Sequence, residues 1–123
     1  MATKPLCSVV MPVYNASKFI ETTLNSVINQ TIKDIEIICV DDCSKDNSVE
    51  IIKEYQKKDD RIILLQNEIN SKVSQTRNNG INAAKSDWIA LLDSDDAWEP
   101  TFLEKVMQRQ KETGGLLIST SCK

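Results

Sequence analysis

Histidine is missing altogether from the 123 residues, and glycine and proline occur only three times each. Without an imidazole the chain cannot assemble a Ser-His-Asp triad or a Cys-His pair from its own residues. Three glycines are too few for a glycine-rich turn that cradles pyrophosphate, and neither GxGxxG nor GxxxxGK[ST] occurs. The phosphates of any bound nucleotide must then be neutralised by a metal. Positive charge is not in excess either: 15 Lys+Arg stand against 18 Asp+Glu, giving a net charge of -3. That balance lacks the basic stripe on which polyanion binders depend, so no nucleic-acid partner is expected. No apolar run approaches the roughly 20 residues that cross a bilayer. Met1 to Pro5 lead directly into a strand-like run with no signal-peptide pattern. A soluble, cytoplasmic protein is the expectation.

What is present is ordinary for one folded domain spanning 1–123: 41% hydrophobic and 27% charged residues. Cysteines stand at 7, 39, 43 and 122, too scattered for a zinc site without imidazole. Cys7 and Cys39 fall inside apolar runs, where a reduced thiol behaves as a small buried hydrophobe.

The apolar pattern alternates in period. Ser8 to Tyr14, Ile35 to Val40, Arg61 to Leu65, Asp87 to Leu92 and Leu116 to Thr120 read as strands. Phe19, Ile20, Leu24, Val27 and Ile28 recur at helical spacing, as do Val49, Ile52 and Tyr55. Asp46 or Asn47 is available to cap the second of these helices. Val73 to Ala84 predicts a weaker helix interrupted at Asn78-Asn79-Gly80, and Pro100 suits the first turn of a helix that Gly114-Gly115 ends. Continuous apolar strands alternating with helices predict an α/β fold: an open, mostly parallel Rossmann-like sheet with helices on both faces.

The polar residues gather after the strands. Tyr14 and Asn15, then Asp41 and Asp42, then Asp93, Asp95 and Asp96 each follow the carboxyl end of a predicted strand. In an open α/β sheet that edge is where ligands bind. Five aspartates converging there would repel one another, and a divalent cation removes the conflict, with carboxylate oxygens suiting Mg²⁺ or Mn²⁺. Taken singly, Asp41, Asp42 or Asp46 is equally well explained as a turn former or cap. Capping does not call for three aspartates in four residues, however. Arg77 either pairs locally or grips a diphosphate, for which guanidinium geometry is suited. A receiver domain would place its acid pair after the first strand, whereas these clusters follow the second and fourth.

Four segments resemble the inverting family 2 glycosyltransferases of the GT-A fold. Val9 to Asn15 is similar to that family's V-x-x-P-x-Y-N, and Val40 to Ser48 to its V-D-D-G-S-x-D-x-S. Asn70 to Ile81 resembles N-x-G-x-x-x-A-R-N-x-G-I, and Leu91 to Asp96 resembles L-D-x-D-D. The resemblance implies a nucleotide-sugar donor, most simply a UDP-sugar, bound with the divalent metal. It implies that Pro12, Tyr14 and Asp42 contact the base, with Asp41 in the same substrate-binding set and Arg77 near the base or diphosphate. Asp93 and Asp95 would form the metal-binding DxD, Asp93 toward the ribose and Asp95 on the cation.

Cys43 and Lys72 stand where the family usually has Gly, a residue that tolerates positive φ in such turns. In the family the acceptor site and general base lie beyond the fifth strand. The chain is therefore expected to be a donor-binding half, with its base beyond residue 123 and a saccharide or lipid-linked acceptor in the longer protein, at the inner face of the membrane. A sheet cut after the fifth strand is expected to expose a flank that a symmetric homodimer would cover. The alternative function is a non-catalytic nucleotide-binding module that needs a partner. Nucleotidyl transfer would need a basic loop near the first strand, which Pro12 to Asn15 does not supply.

Overall fold

A computed structural model describes residues 5–69, 73–86, 88–113 and 117–119. Strand and helix alternate along them: β1 (Cys7–Val13), α1 (Ile20–Ile28), β2 (Ile35–Asp41), α2 (Ser48–Lys58), β3 (Ile62–Gln66), α3 (Val73–Ala83), β4 (Ile89–Leu91), α4 (Phe102–Thr113) and β5 (Leu117–Ser119). The strands form one sheet in the order β3-β2-β1-β4-β5, and every pairing is parallel. The expected starts of the fourth and fifth strands at Asp87 and Leu116, and the motif residues Asn70 and Lys72, lie outside the described residues, as do Gly114, Gly115, Thr120 and Cys122.

Both central strands are buried at every position, which accounts for their unbroken apolar character. Successive side chains point to opposite faces. Val9, Met11, Ile37 and Cys39 join the larger core, which Ile20, Leu24 and Val27 of α1, Ile52 of α2 and Leu103 of α4 complete. Trp98 closes that core, stacked on Phe102 with ring centroids 4.8 Å apart. Val10, Ile38 and Val40 face the other way, where Ile81 and Ala84 pack on them. Helices therefore cover both faces, unequally. Cys7 and Cys39 are fully buried, and burial pushes both thiols up to about 12, so they remain protonated and inert.

The third helix differs from the sequence expectation. It runs unbroken through Asn78-Asn79-Gly80 from Val73 to Ala83. The reason is tertiary: a Cβ on Gly80 would collide with Val10 Cγ1 and approach Val40 Cγ2 to 3.1 Å. Glycine here is a spacer that lets the helix lie flush on β1 and β2. Pro100 also sits just outside its helix, which begins at Phe102. Its carbonyl instead accepts the Thr31 backbone N–H at 2.9 Å, joining the segment before α4 to the end of α1.

A buried polar cluster at the amino edge of the sheet sets β4 beside β1. Glu36, 6% exposed, accepts hydrogen bonds from the Ser8 hydroxyl and the Lys85 backbone N–H. Ser86 N–H donates to Ser8 Oγ, and Ser86 Oγ donates to the Leu6 carbonyl. Each buried group thus has a partner, as burial requires.

Gly80→Ala tests the helix-to-sheet contact. The added methyl should gain up to about 1 kcal/mol of helix propensity and lose about 1–3 kcal/mol to overpacking. Chemical denaturation should therefore find the variant less stable than the parent. Equal or greater stability would contradict the close approach.

Candidate functional site

From β1 the chain moves to β2 on one side, and it later returns to place β4 on the other side of β1. The crevice outside the carboxyl ends of such diverging strands is the usual ligand site of an open α/β sheet. Here it is a cleft of about 640 Å³. β1 and its following turn bring Pro12 and Tyr14, the end of β2 brings Asp42, α3 brings Thr76 and Arg77, and the turn after β4 brings Asp93, Ser94 and Asp95. Six of the seven residues expected to bind substrate or metal thus share one cavity. Asp41 is not among its lining residues. It is 3% exposed, and its Oδ2 accepts the Ser44 backbone N–H at 3.1 Å, which holds the turn after β2.

The two turns that carry Tyr14 and Asp42 are stitched together. Asn15 N–H donates to Ser44 Oγ, Ala16 N–H to Ser48 Oγ, and Ser17 N–H to Asp46 Oδ2. Lys45 N–H donates back to Asn15 Oδ1 at 2.7 Å. Asn15 and Cys43 both adopt positive φ, 48° and 61°. Asn tolerates that region readily, whereas Cys43 holds a conformation that favours glycine at a cost of roughly 1–2 kcal/mol. Its thiol donates to the Asn67 carbonyl at 3.3 Å.

Of the two possible caps for α2, Asp46 is the one used. Its Oδ1 accepts from both the Ser48 N–H and the Ser48 hydroxyl, while Asn47 makes no side-chain cap bond. Slight desolvation pushes the Asp46 carboxyl up, but the hydrogen bonds from Ser48 and Ser17 together outweigh it and hold the group at about 2.

Arg77 NH2 sits 2.7 Å from Asp93 Oδ1, with both side chains 29% exposed. The local ion pair expected as one reading of Arg77 is therefore present. Its Nε is buried and has no hydrogen-bond partner among the described residues. Asp93, Asp95 and Asp96 can bring one carboxylate oxygen each to within 4.8 Å of one another. An all-oxygen set of that size suits a hard divalent cation.

Three residues that shape the cleft carry no signal in the motifs. Thr23, 1% exposed on α1, donates its hydroxyl to the Ser94 carbonyl at 2.8 Å and so anchors the acidic turn. Gln30, fully buried, donates to the Glu99 carbonyl at 2.6 Å and accepts from Leu103 N–H, fixing the segment from that turn into α4. Asn67, just after β3, donates to Asp42 Oδ1 at 3.0 Å. The rule that site residues follow strand ends could have flagged Asn67. Thr23 lies within a helix and Gln30 just beyond it, so neither was accessible that way.

This architecture defines an open, parallel α/β domain with an acidic cleft where its strands diverge. The sequence profile of Glycosyl transferase family 2 matches residues 8–121, and the chain belongs to that family. Glycosyltransferase GlyG of Streptococcus pneumoniae is 38% identical over 107 residues, which is 87% of this chain and 36% of that protein. A glycosyltransferase of Methanocaldococcus jannaschii, itself uncharacterized, is 46% identical over 104 residues, 83% of this chain and 36% of the relative. The structure of S. aureus TarS in complex with UDP superposes with a TM-score of 0.79 at 31% identity, covering 89% of this chain and 32% of that one. The fold is thus the GT-A Rossmann-like fold. The chain spans about a third of the length of these proteins.

The pKa of Asp46 generates a pH test. Because the folded-state value lies below the ordinary 3.8, this carboxylate contributes stability above about pH 4 that is lost as pH falls toward 2. Asp46→Ala should cost about 1 kcal/mol at neutral pH, the usual worth of a helix cap. Denaturation at stepped pH should show the gap between parent and variant closing below pH 4. A gap independent of pH would contradict the ionised cap.

Proposed function

We propose that the cleft binds the nucleoside diphosphate of a sugar donor, a UDP-sugar, together with Mg²⁺ or Mn²⁺, as the donor-binding part of a glycosyltransferase. The observation that carries this reading is the convergence of Pro12, Tyr14, Asp42, Arg77, Asp93 and Asp95 on one cavity. In this assignment Pro12 and the half-exposed Tyr14 flank the base, and Asp42 accepts its ring N–H. Arg77 directs its remaining donors toward the ribose–diphosphate. Asp93 and Asp95 hold the cation, with Asp96 adjacent. When bound, the cation supplies charge that offsets the leaving diphosphate. Asp41 acts on the substrate indirectly, by setting the turn that presents Asp42.

The TarS complexes support the donor class. TarS has been crystallised with UDP and with UDP-GlcNAc, at 31% identity in both cases. A Pyrobaculum calidifontis mannosyltransferase of the same fold, at 20% identity, was solved with GDP-Man and Mn²⁺. A Bacillus spizizenii relative, 42% identical over 92 residues, is named a poly(ribitol-phosphate) beta-glucosyltransferase. That name supports a hydroxyl-bearing polymer as the acceptor of the longer protein.

Calorimetry with UDP tests the metal. Binding should be weak in EDTA and strengthen with Mn²⁺ or Mg²⁺, because the bare aspartates repel the diphosphate. Equal affinity in EDTA would sink the assignment of Asp93 and Asp95.

Asp42→Ala should weaken UDP binding by about 1–3 kcal/mol, the range for an unpaired buried polar partner. Asp46→Ala, measured where it remains folded, should cost clearly less. If the two substitutions cost the same, Asp42 is only a turn residue.

A further inference from the structure

Asn67 has all four of its polar groups engaged. Its backbone N–H donates to the Asp41 carbonyl at 2.8 Å, and its own carbonyl accepts the Cys43 thiol. Its side-chain Nδ2 donates to Asp42 Oδ1 at 3.0 Å and to Thr76 Oγ1 at 3.2 Å, while Oδ1 accepts from Asn79 Nδ2 at 2.9 Å. The Asp42 carboxylate only accepts, so it fixes which end of the amide faces which partner: N–H toward Asp42, oxygen toward the Asn79 Nδ2 donor. Asp42 is only 6% exposed yet lines the cleft, so water contributes little to orienting it.

We propose that Asn67 is a positioning residue that fixes the rotation of the Asp42 carboxylate and thereby makes the cleft select uracil over cytosine. This rests on the base contact proposed for Asp42. Uracil presents an N3–H donor where cytosine presents a lone pair. A carboxylate held in one orientation accepts from the first and repels the second. A carboxylate that has lost this donor is held less firmly and can follow the cytosine amino group instead, and the discrimination narrows. Asn79 belongs to the same device, because its donor to Asn67 Oδ1 holds the amide in place against Asp42.

The test measures UDP and CDP binding to the full chain with Mn²⁺ present, for the parent and three variants. Asn67→Asp keeps the shape but sets a second carboxylate against Asp42. Near pH 8 it should bind UDP about tenfold more weakly than the parent, as expected when a donor facing a carboxylate is lost. Two carboxylates this close share one proton as pH falls, and an O–H donated to Asp42 mimics the missing N–H. UDP affinity relative to the parent should then recover toward pH 5. Taking the ratio at each pH cancels titration of the UDP phosphate and of the other ionisable groups lining the cleft, Tyr14, Arg77, Asp93 and Asp95. Asn79→Ala should leave the fold intact and narrow the UDP-to-CDP ratio severalfold. Absence of acid recovery in Asn67→Asp, or failure of that variant to fold combined with an unchanged ratio in Asn79→Ala, overturns the role of Asn67. Asp42→Ala separates the two levels. Unchanged UDP affinity there overturns the base contact itself, whereas the expected loss upholds that contact, and the Asn67 and Asn79 variants then decide the positioning role.

Discussion

The site depends on how closely α3 can approach the sheet. Gly80 lies against Val10 and Val40 with no room for a side-chain carbon, so the helix axis is set by the backbone itself. One turn earlier, that fixed height brings Thr76 and Arg77 to the cleft, and it lets Asn79 and Thr76 reach Asn67. A helix lifted by a methyl group would carry all three away from their partners. Because packed interiors do not deform continuously, such a displacement is not absorbed locally.

On the other face a different set of helices braces the acidic turn. Thr23 of α1 and Gln30 just after it use buried polar groups to hold the backbone at Ser94, Glu99 and Leu103. The carboxylates of Asp93, Asp95 and Asp96 are thereby carried on a loop anchored from beneath, while Arg77 reaches Asp93 from the opposite side of the sheet. Holding like charges together requires this kind of support, since nothing in the acids' mutual interaction keeps them near one another.

The turns after β1 and β2 form a third unit. Their side chains cross-cap one another through Asn15, Ser44, Asp46 and Ser48. Positive φ at Asn15 and Cys43 is sustained by this network. Cys43 therefore holds its left-handed backbone within this network, and the strain remains local.

The fold and the candidate site were legible in the amino-acid sequence because both follow from short-range patterns. Continuous apolar runs separated by helical periodicity dictate a parallel sheet, and acids immediately after strands mark the edge that carries the candidate site. The motifs by themselves grouped Pro12, Tyr14, Asp42, Arg77, Asp93 and Asp95, which line one cleft. Only the tertiary structure decided that α3 is continuous, that Asp41 turns to its own loop, and that Asn67, Thr23 and Gln30 hold the functional groups. These outcomes rest on contacts such as Asn67 with Asn79, Thr23 with Ser94 and Gly80 with Val10. Residues that far apart in the chain meet through the register of strands and the height of a helix, which no local pattern of polarity encodes.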